Sequence, residues 1–240
     1  TIDNAHNLPE EELQNLLEEF PPGHPDRESR LFGGFMARSG LVYPAFDRKI
    51  HVIEPFVPDS NYTLYRGFDP GWRNVAACLW MAVNDEGEGF VYREYYESDR
   101  SVKDHVAAIR VASGDEEYPF TVVDPAARQR DPVSMTSLID YICMWGMPSI
   151  PGDNDWTKGV ALVSNWLKPD PATGRPRLFF TRDVPNTIRE IENYRYKEET
   201  AQMADKVDPV ERPQKKADHA CDALRYLIMA GPVHHSGRPA

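Results

Sequence analysis

The sequence predicts a mixed α/β domain: three antiparallel strands, then further strands, flanked by helices. Three observations point there. Residues 62–96 contain three consecutive β-rich runs separated by turn residues. A short apolar run, Phe120-Thr121-Val122-Val123, follows a helix-like stretch and stops at Asp124-Pro125. The remainder is dominated by apolar spacing of helical period.

The elements follow in order. Residues 62–68 make a strand ending in Asp69-Pro70-Gly71. Val75-Ala76-Ala77-Cys78-Leu79-Trp80-Met81-Ala82-Val83 is apolar throughout, as a strand buried on both faces must be, and residues 84–89 supply the turn. Residues 90–96, rich in aromatic and β-branched side chains, complete an antiparallel meander. Ser101 is placed to cap a helix carrying Val102, Val106, Ile109 and Val111. The fourth strand spans residues 120–123, and a fifth covers 178–180. Helices are expected over 133–145, 156–167 (capped by Asn154 or Asp155), 186–196 and 217–229.

Residues 1–60 read differently. Pro9 followed by Glu10, Glu11 and Glu12 starts a helix with an apolar stripe of Leu13, Leu16, Leu17 and Phe20, stopped by Pro21-Pro22-Gly23. Residues 32–56 mix Gly, Pro and aromatics and read as an extended strap. The expected organisation is therefore a helix and strap over 1–60, a folded domain over 61–231, and a flexible tail over 232–240.

Composition narrows the function classes. With 41% hydrophobic and 11% aromatic residues, the chain of 240 residues can bury a core. Its three cysteines, Cys78, Cys143 and Cys221, are odd in number, form no CxxC pair and sit in apolar stretches. Free buried thiols in a reducing compartment are the expectation. No apolar run reaches membrane-spanning length, so no membrane partner is expected. The net charge of -11 opposes nucleic-acid binding, although Glu10, Glu11, Glu12, Glu18 and Glu19 account for part of it. No GxSxG elbow and no GxxxxGK[ST] phosphate loop occur, which argues against a serine hydrolase and a P-loop ATPase.

Three segments carry the chemistry. Asp69 closes the first strand and Asp124 the fourth, each followed by a proline that ends the ladder. In Ala217-Asp218-His219-Ala220-Cys221-Asp222-Ala223-Leu224-Arg225-Tyr226, helical spacing puts Asp218, His219, Asp222, Arg225 and Tyr226 on one face. Ala220, Cys221, Leu224 and Ile228 are left to pack on the sheet. Each aspartate alone is an ordinary strand-end or capping residue. Together they supply hard oxygen donors suited to Mg²⁺ or Mn²⁺, and without a cation they would repel and raise one another's pKa.

Two strand-end aspartates followed by an acidic helix match the ribonuclease-H-like arrangement. The chain resembles the nuclease domain of the large terminase subunits of tailed bacteriophages, through Gly67-Phe68-Asp69-Pro70-Gly71, Val122-Val123-Asp124-Pro125-Ala126 and the 218–226 helix. Val42-Tyr43-Pro44-Ala45-Phe46-Asp47 looks like the family's segment joining motor to nuclease. The resemblance implies a metal-dependent endonuclease cutting double-stranded DNA with little sequence specificity by a two-metal reaction. It makes Asp69, Asp124 and Asp222 both catalytic and metal-holding. His219 becomes a metal or proton-handling residue, and Asp218 a further ligand or a helix cap. Arg73, Arg128, Arg130, Lys215 and Lys216, close to the three motifs, are the expected DNA contacts. Portal protein, small terminase subunit and the motor ATPase domain are the implied partners, in host cytoplasm at the assembling capsid. The family's pumping ATPase has no counterpart here, so the chain is expected to be a piece starting near the end of the motor. The alternatives are a junction resolvase or transposase-type nuclease sharing the acidic triad, and a non-catalytic packaging module. An actin-like or sugar-kinase ATPase is disfavoured, because no Gly/Thr-rich phosphate loop accompanies the acids.

Overall fold

A computed structural model describes residues 40–71, 74–171, 173–197, 213 and 218–235. Two compact units emerge: residues 43–194 with 215–240, and residues 1–42 with 195–214. Of the second, the described part comprises bridges of Leu41 with Arg195 and of Tyr196 with Pro213. The expected helix over 9–20 lies outside the described residues.

The larger unit is built on a seven-stranded mixed sheet. Its strands are β1 (Val52–Ile53), β2 (Thr63–Asp69), β3 (Ala76–Val83), β4 (Gly89–Glu97), β5 (Thr121–Val123), β6 (Ser149–Pro151) and β7 (Leu178–Thr181), in the order β1-β7-β4-β3-β2-β5-β6. β2, β3 and β4 form the antiparallel meander, and all other pairings are parallel. The helices are α1 (Arg48–His51), α2 (Val102–Ser113), α3 (Leu138–Met144), α4 (Trp156–Leu167), α5 (Pro185–Asn193) and α6 (His219–Met229). The mixed α/β class expected from sequence is what the chain adopts, and the architecture is ribonuclease-H-like.

Every residue of β2 and β3 is buried, because both faces are covered. On one face α2 and α3 pack Val106, Ile109 and Ile142 against Phe68, Trp80 and Val123. Each such aliphatic side chain contributes about 1.5–3 kcal/mol. On the other face α6 lies across β2 and β3, with α4 and α5 beside it. Gly67 permits that crossing. A Cβ there would stand 2.5 Å from the Ala223 carbonyl oxygen and 3.0 Å from Leu227 Cβ. Side chains alternate along a strand, so Gly67 and Asp69 share the α6 face while Phe68 faces α2.

Several expectations need correction. The helix placed over 133–145 begins only at Leu138, where Ser137 and Asp140 form a capping box. Upstream, Asp131 Oδ1 accepts from Val133 N and Ser134 N (3.0 and 2.7 Å), and Met135 takes φ 56°, so the chain turns instead. The segment read as a strap carries α1 and β1, and β1 pairs with β7. His51 anchors it by donating from Nε2 to the Leu167 carbonyl at the end of α4 (2.8 Å). β6 was not anticipated. The helix expected to reach residue 196 stops at Asn193. Cys78 and Cys221 are buried as expected, but Cys143 is exposed on the outer side of α3. Ser101 caps α2 and Asp155 caps α4. Beyond α6, Val233 and His235 are tied to β2 through Tyr65 Oη and Thr63 Oγ1. Among the described residues no helix is long and apolar enough to cross a membrane.

Candidate metal centre

The parallel pairing of β2 with β5 sets Phe68 opposite Val123. Asp69 and Asp124 therefore emerge side by side at the ends of adjacent strands, which run about 4.8 Å apart. The Asp124 amide donates to the Phe68 carbonyl (3.1 Å), extending the ladder to this point. Pro125 then begins a 3-10 turn over Pro125–Arg128, and Asp124 Oδ1 accepts from Ala126 N (2.8 Å). The ladder thus ends on the carboxylates themselves.

α6 brings the third set of groups. Since Ala223 sits on Gly67, His219, one turn earlier, reaches the end of β2, where its Nδ1 donates to Asp69 Oδ2 (2.9 Å). Asp222 Oδ1 accepts from Arg225 Nη2 and Nε (3.0 and 3.3 Å). Arg225 is only 3% exposed and lies over the Tyr226 ring, 4.3 Å from its centre. Gly159 of α4 leaves room for its stem, since a Cβ there would meet Arg225 Cγ at 2.5 Å.

Electrostatics tie the acids together. Burial pushes the Asp69 carboxyl up to about 6, the His219 bond opposes this, and the charges of Asp124 and Asp222 raise it further. Asp222 is raised first by burial, with Arg225 opposing and Asp218 and Asp124 adding. The Tyr226 phenol is pushed up by burial and then by Asp222, Asp124 and Asp69, so its side chain stands among all three. His219 is raised, chiefly by its bond to Asp69.

The α6 N-terminus is held from outside the helix. Asp218 occupies the cap position but its side chain makes no capping bond. Instead Glu190 of α5, 2% exposed, accepts through Oε2 from Ala220 N (2.7 Å) and Cys221 N (3.1 Å). Its Oε1 accepts from Tyr96 Oη of β4 (2.6 Å). One element earlier the device recurs. Glu94 of β4 accepts from Asn186 N and Thr187 N (2.8 Å each) at the start of α5, whose own cap residue Val184 makes no side-chain bond. β4 therefore positions α5, and α5 with β4 positions the end of α6 that bears His219 and Asp222. Sequence reasoning missed Glu190. Its one signal is an acid on an amphipathic helix beside Thr187, Ile188 and Ile191, which are buried.

Of the expected site residues, Asp69 and His219 are in direct contact, and Asp124 and Asp222 are coupled to them through charge. Asp218 acts on Asp222 and His219 by charge. Arg128 and Arg130 are exposed in and just after the turn that follows Asp124. Arg73, Lys215 and Lys216 lie outside the described residues. The helix face expected to be polar is more buried than its residue types suggest, because α4 and α5 cover Arg225 and Tyr226.

The donor chemistry fits a hard divalent cation: clustered carboxylates, one with a strongly raised pKa. The positions of the side chains fit less well. Among the described residues no three His, Cys, Asp or Glu side chains are placed to share one ion. Each carboxylate already has an internal partner: His219 for Asp69, Arg225 for Asp222 and the Ala126 amide for Asp124.

Those partners predict a pH dependence. Both Asp69 and His219 have folded pKa values above their ordinary ones, so the folded state holds more protons than the unfolded state between about pH 4 and 7. Metal-free stability therefore rises as pH falls through this window, and is lost as pH rises through the folded values. Each pKa unit is worth about 1.4 kcal/mol. Thermal melts in EDTA should show a higher Tm at pH 5.5 than at pH 8, with the slope reduced in Asp69→Asn. An equal slope in the variant would remove Asp69 as its source.

The likeness of this fold to solved structures is extensive. A full-length large terminase from a thermophilic bacteriophage superposes with a TM-score of 0.66 at 20% identity, over 96% of this chain and 54% of that one. The P22 large terminase nuclease domain gives 0.63 at 14% identity, over 80% of this chain and 92% of that domain. The large terminase nuclease of the thermophilic phage G20c with bound cobalt gives 0.52 at 12%, over 80% and 97%. This chain spans about half the length of the first of these proteins. No protein-family model and no curated protein matches the sequence. At these identities the likeness establishes a shared fold.

Proposed function

We propose that this chain is a divalent-metal-dependent endonuclease that cuts double-stranded DNA, acting with Mg²⁺ or Mn²⁺ in viral genome packaging. The observation that carries this reading is the convergence of Asp69, Asp124 and Asp222 from two strand ends and one helix into one electrostatically coupled cluster. That cluster sits on a fold shared with large terminase nuclease domains.

Asp69, Asp124 and Asp222 are the residues that would hold the cations, with Asp218 as a further candidate. Two bound divalent ions would activate the attacking water and stabilise the leaving oxygen of a phosphodiester. The chain's own groups set the conditions for this. The strand ends fix Asp69 and Asp124 on rigid backbone, and Arg225 keeps Asp222 ionised until a cation competes for it. His219 Nε2, with no hydrogen-bond partner among the described residues, is the ring nitrogen able to take or give a proton. Arg128 and Arg130 offer phosphate contacts beside the cluster, and Arg73, Lys215 and Lys216 adjoin the motifs in sequence. Contacts of this kind go to the DNA backbone, so little sequence preference is expected.

By the same reading the nuclease operates beside a motor ATPase domain, a portal protein and a small terminase subunit, in host cytoplasm at the filling capsid. The test is plasmid cleavage. Purified chain should nick and linearise supercoiled DNA with Mn²⁺ or Mg²⁺, and EDTA should stop it. Cutting that persists in EDTA, or no cutting with any divalent cation, overturns the proposal.

A further inference from the structure

Arg66 occupies the middle of β2 on the face covered by α2, opposite to the face that bears Asp69. It is 6% exposed. Nε donates to Thr121 Oγ1 (3.0 Å), Nη1 donates to Ser113 Oγ (2.8 Å), and the guanidinium stacks on the Tyr118 ring at 4.0 Å. No carboxylate bonds to it, and Nη2 has no acceptor among the described residues. A buried charge without an ionic partner is costly.

Glu116 does not fill that role. Its carboxylate already accepts from Arg93 Nη1 (3.0 Å) and Nη2 (2.8 Å), from Tyr92 Oη (2.9 Å) and from Tyr118 Oη. Two guanidinium groups, Arg66 and Arg93, thus share one saturated acid, leaving one positive charge over. Arg66 lines a cavity of about 760 Å³ together with Arg110, Ser113, Tyr118, Gly146 and Pro148. Arg110 stands exposed at its rim, donating from Nη1 to the Trp145 carbonyl (3.1 Å), and the exposed Glu117 is the rim's acid.

We propose that this cavity is an anion site that takes a phosphate group, with Arg66 as its central donor and Arg110 as a second cation at the mouth. A phosphate offers several acceptor oxygens to the unused N–H groups of a guanidinium, which suits arginine better than any single-acceptor ligand. The cavity is large enough for a mononucleotide as well as for the free ion. The inference is independent of the nuclease reading, since it uses the other face of the sheet and none of the metal-centre residues.

Calorimetric titration of the whole chain in EDTA, with inorganic phosphate and separately with dAMP at chloride-matched ionic strength, tests it. We expect one equivalent bound, weakened about tenfold or more (about 1.4 kcal/mol) in Arg66→Met and in Ala107→Trp. Ala107 is exposed on α2 and lines the cavity, so a tryptophan there obstructs the site without touching the buried network, should Arg66→Met fail to fold. Ala107→Trp should leave plasmid cutting unchanged. Comparable affinity for both probes assigns the free ion, and tighter dAMP binding assigns a nucleotide; either supports the site. Absence of saturable heat from both probes overturns it. So does binding undiminished in both Ala107→Trp and Arg110→Ala.

Discussion

Asp69→Asn, Asp124→Asn and Asp222→Asn should each lower plasmid cleavage by about a thousandfold or more. Losing one anionic ligand from a cation pair removes several kcal/mol of transition-state charge stabilisation. The three variants should part company in stability, which separates loss of chemistry from loss of fold. Asp69 is buried with a pKa raised to about 6, so its charge is held at a cost at neutral pH. Asp69→Asn should therefore melt higher than the parent at pH 8 while cutting nothing, a functional residue held against stability. Asp222→Asn removes the charge that neutralises Arg225, which is 3% exposed, and should melt lower. Asp124 bonds only the Ala126 amide, and its replacement should change the Tm little. Melting curves and cleavage rates on the same preparations check this. Parental cleavage in all three would remove the assignment.

Gly67→Val should be the most damaging substitution away from the acids. The added Cβ would sit 2.5 Å from the Ala223 carbonyl oxygen, a backbone atom that cannot rotate aside, and 3.0 Å from Leu227 Cβ. α6 must then move off β2, carrying His219 and Asp222 away from Asp69. Overpacking of this kind costs about 1–3 kcal/mol or more, and each kcal/mol lowers the Tm of a chain this size by about 2–4 °C. Cleavage should fall with it even where the variant remains folded at the assay temperature. Parental Tm and cleavage would show that α6 does not depend on that close approach.

The sequence carried the meander plainly, because β2, β3 and β4 are runs of apolar and aromatic residues interrupted by Asp69-Pro70-Gly71 and by the turn before Gly89. The same runs revealed both strand-end aspartates, and helical spacing revealed His219 and Asp222. β6 was illegible because three residues, one of them Pro151, carry no periodic signal, and parallel pairing to β5 alone creates the strand. The late start of α3 had a local cause in the Asp131 turn and a local signal in Ser137 and Asp140, a capping box hidden inside a longer apolar pattern. Glu190 and Glu94 were beyond local reading, since their partners lie on other elements. The burial of Arg225 and Tyr226 had the same origin: residue types suggested a solvated face, and packing by α4 decided otherwise.

Manganese binding, followed by the loss of the free-ion electron paramagnetic resonance signal on titration into EDTA-treated chain at pH 7.5, addresses the centre itself without any need for DNA. Saturable uptake by the parent, weakened about a hundredfold in Asp69→Asn and in Asp222→Asn, is the predicted result. A parent that leaves the free-ion signal untouched, or variants that take up manganese as well as the parent does, would contradict it.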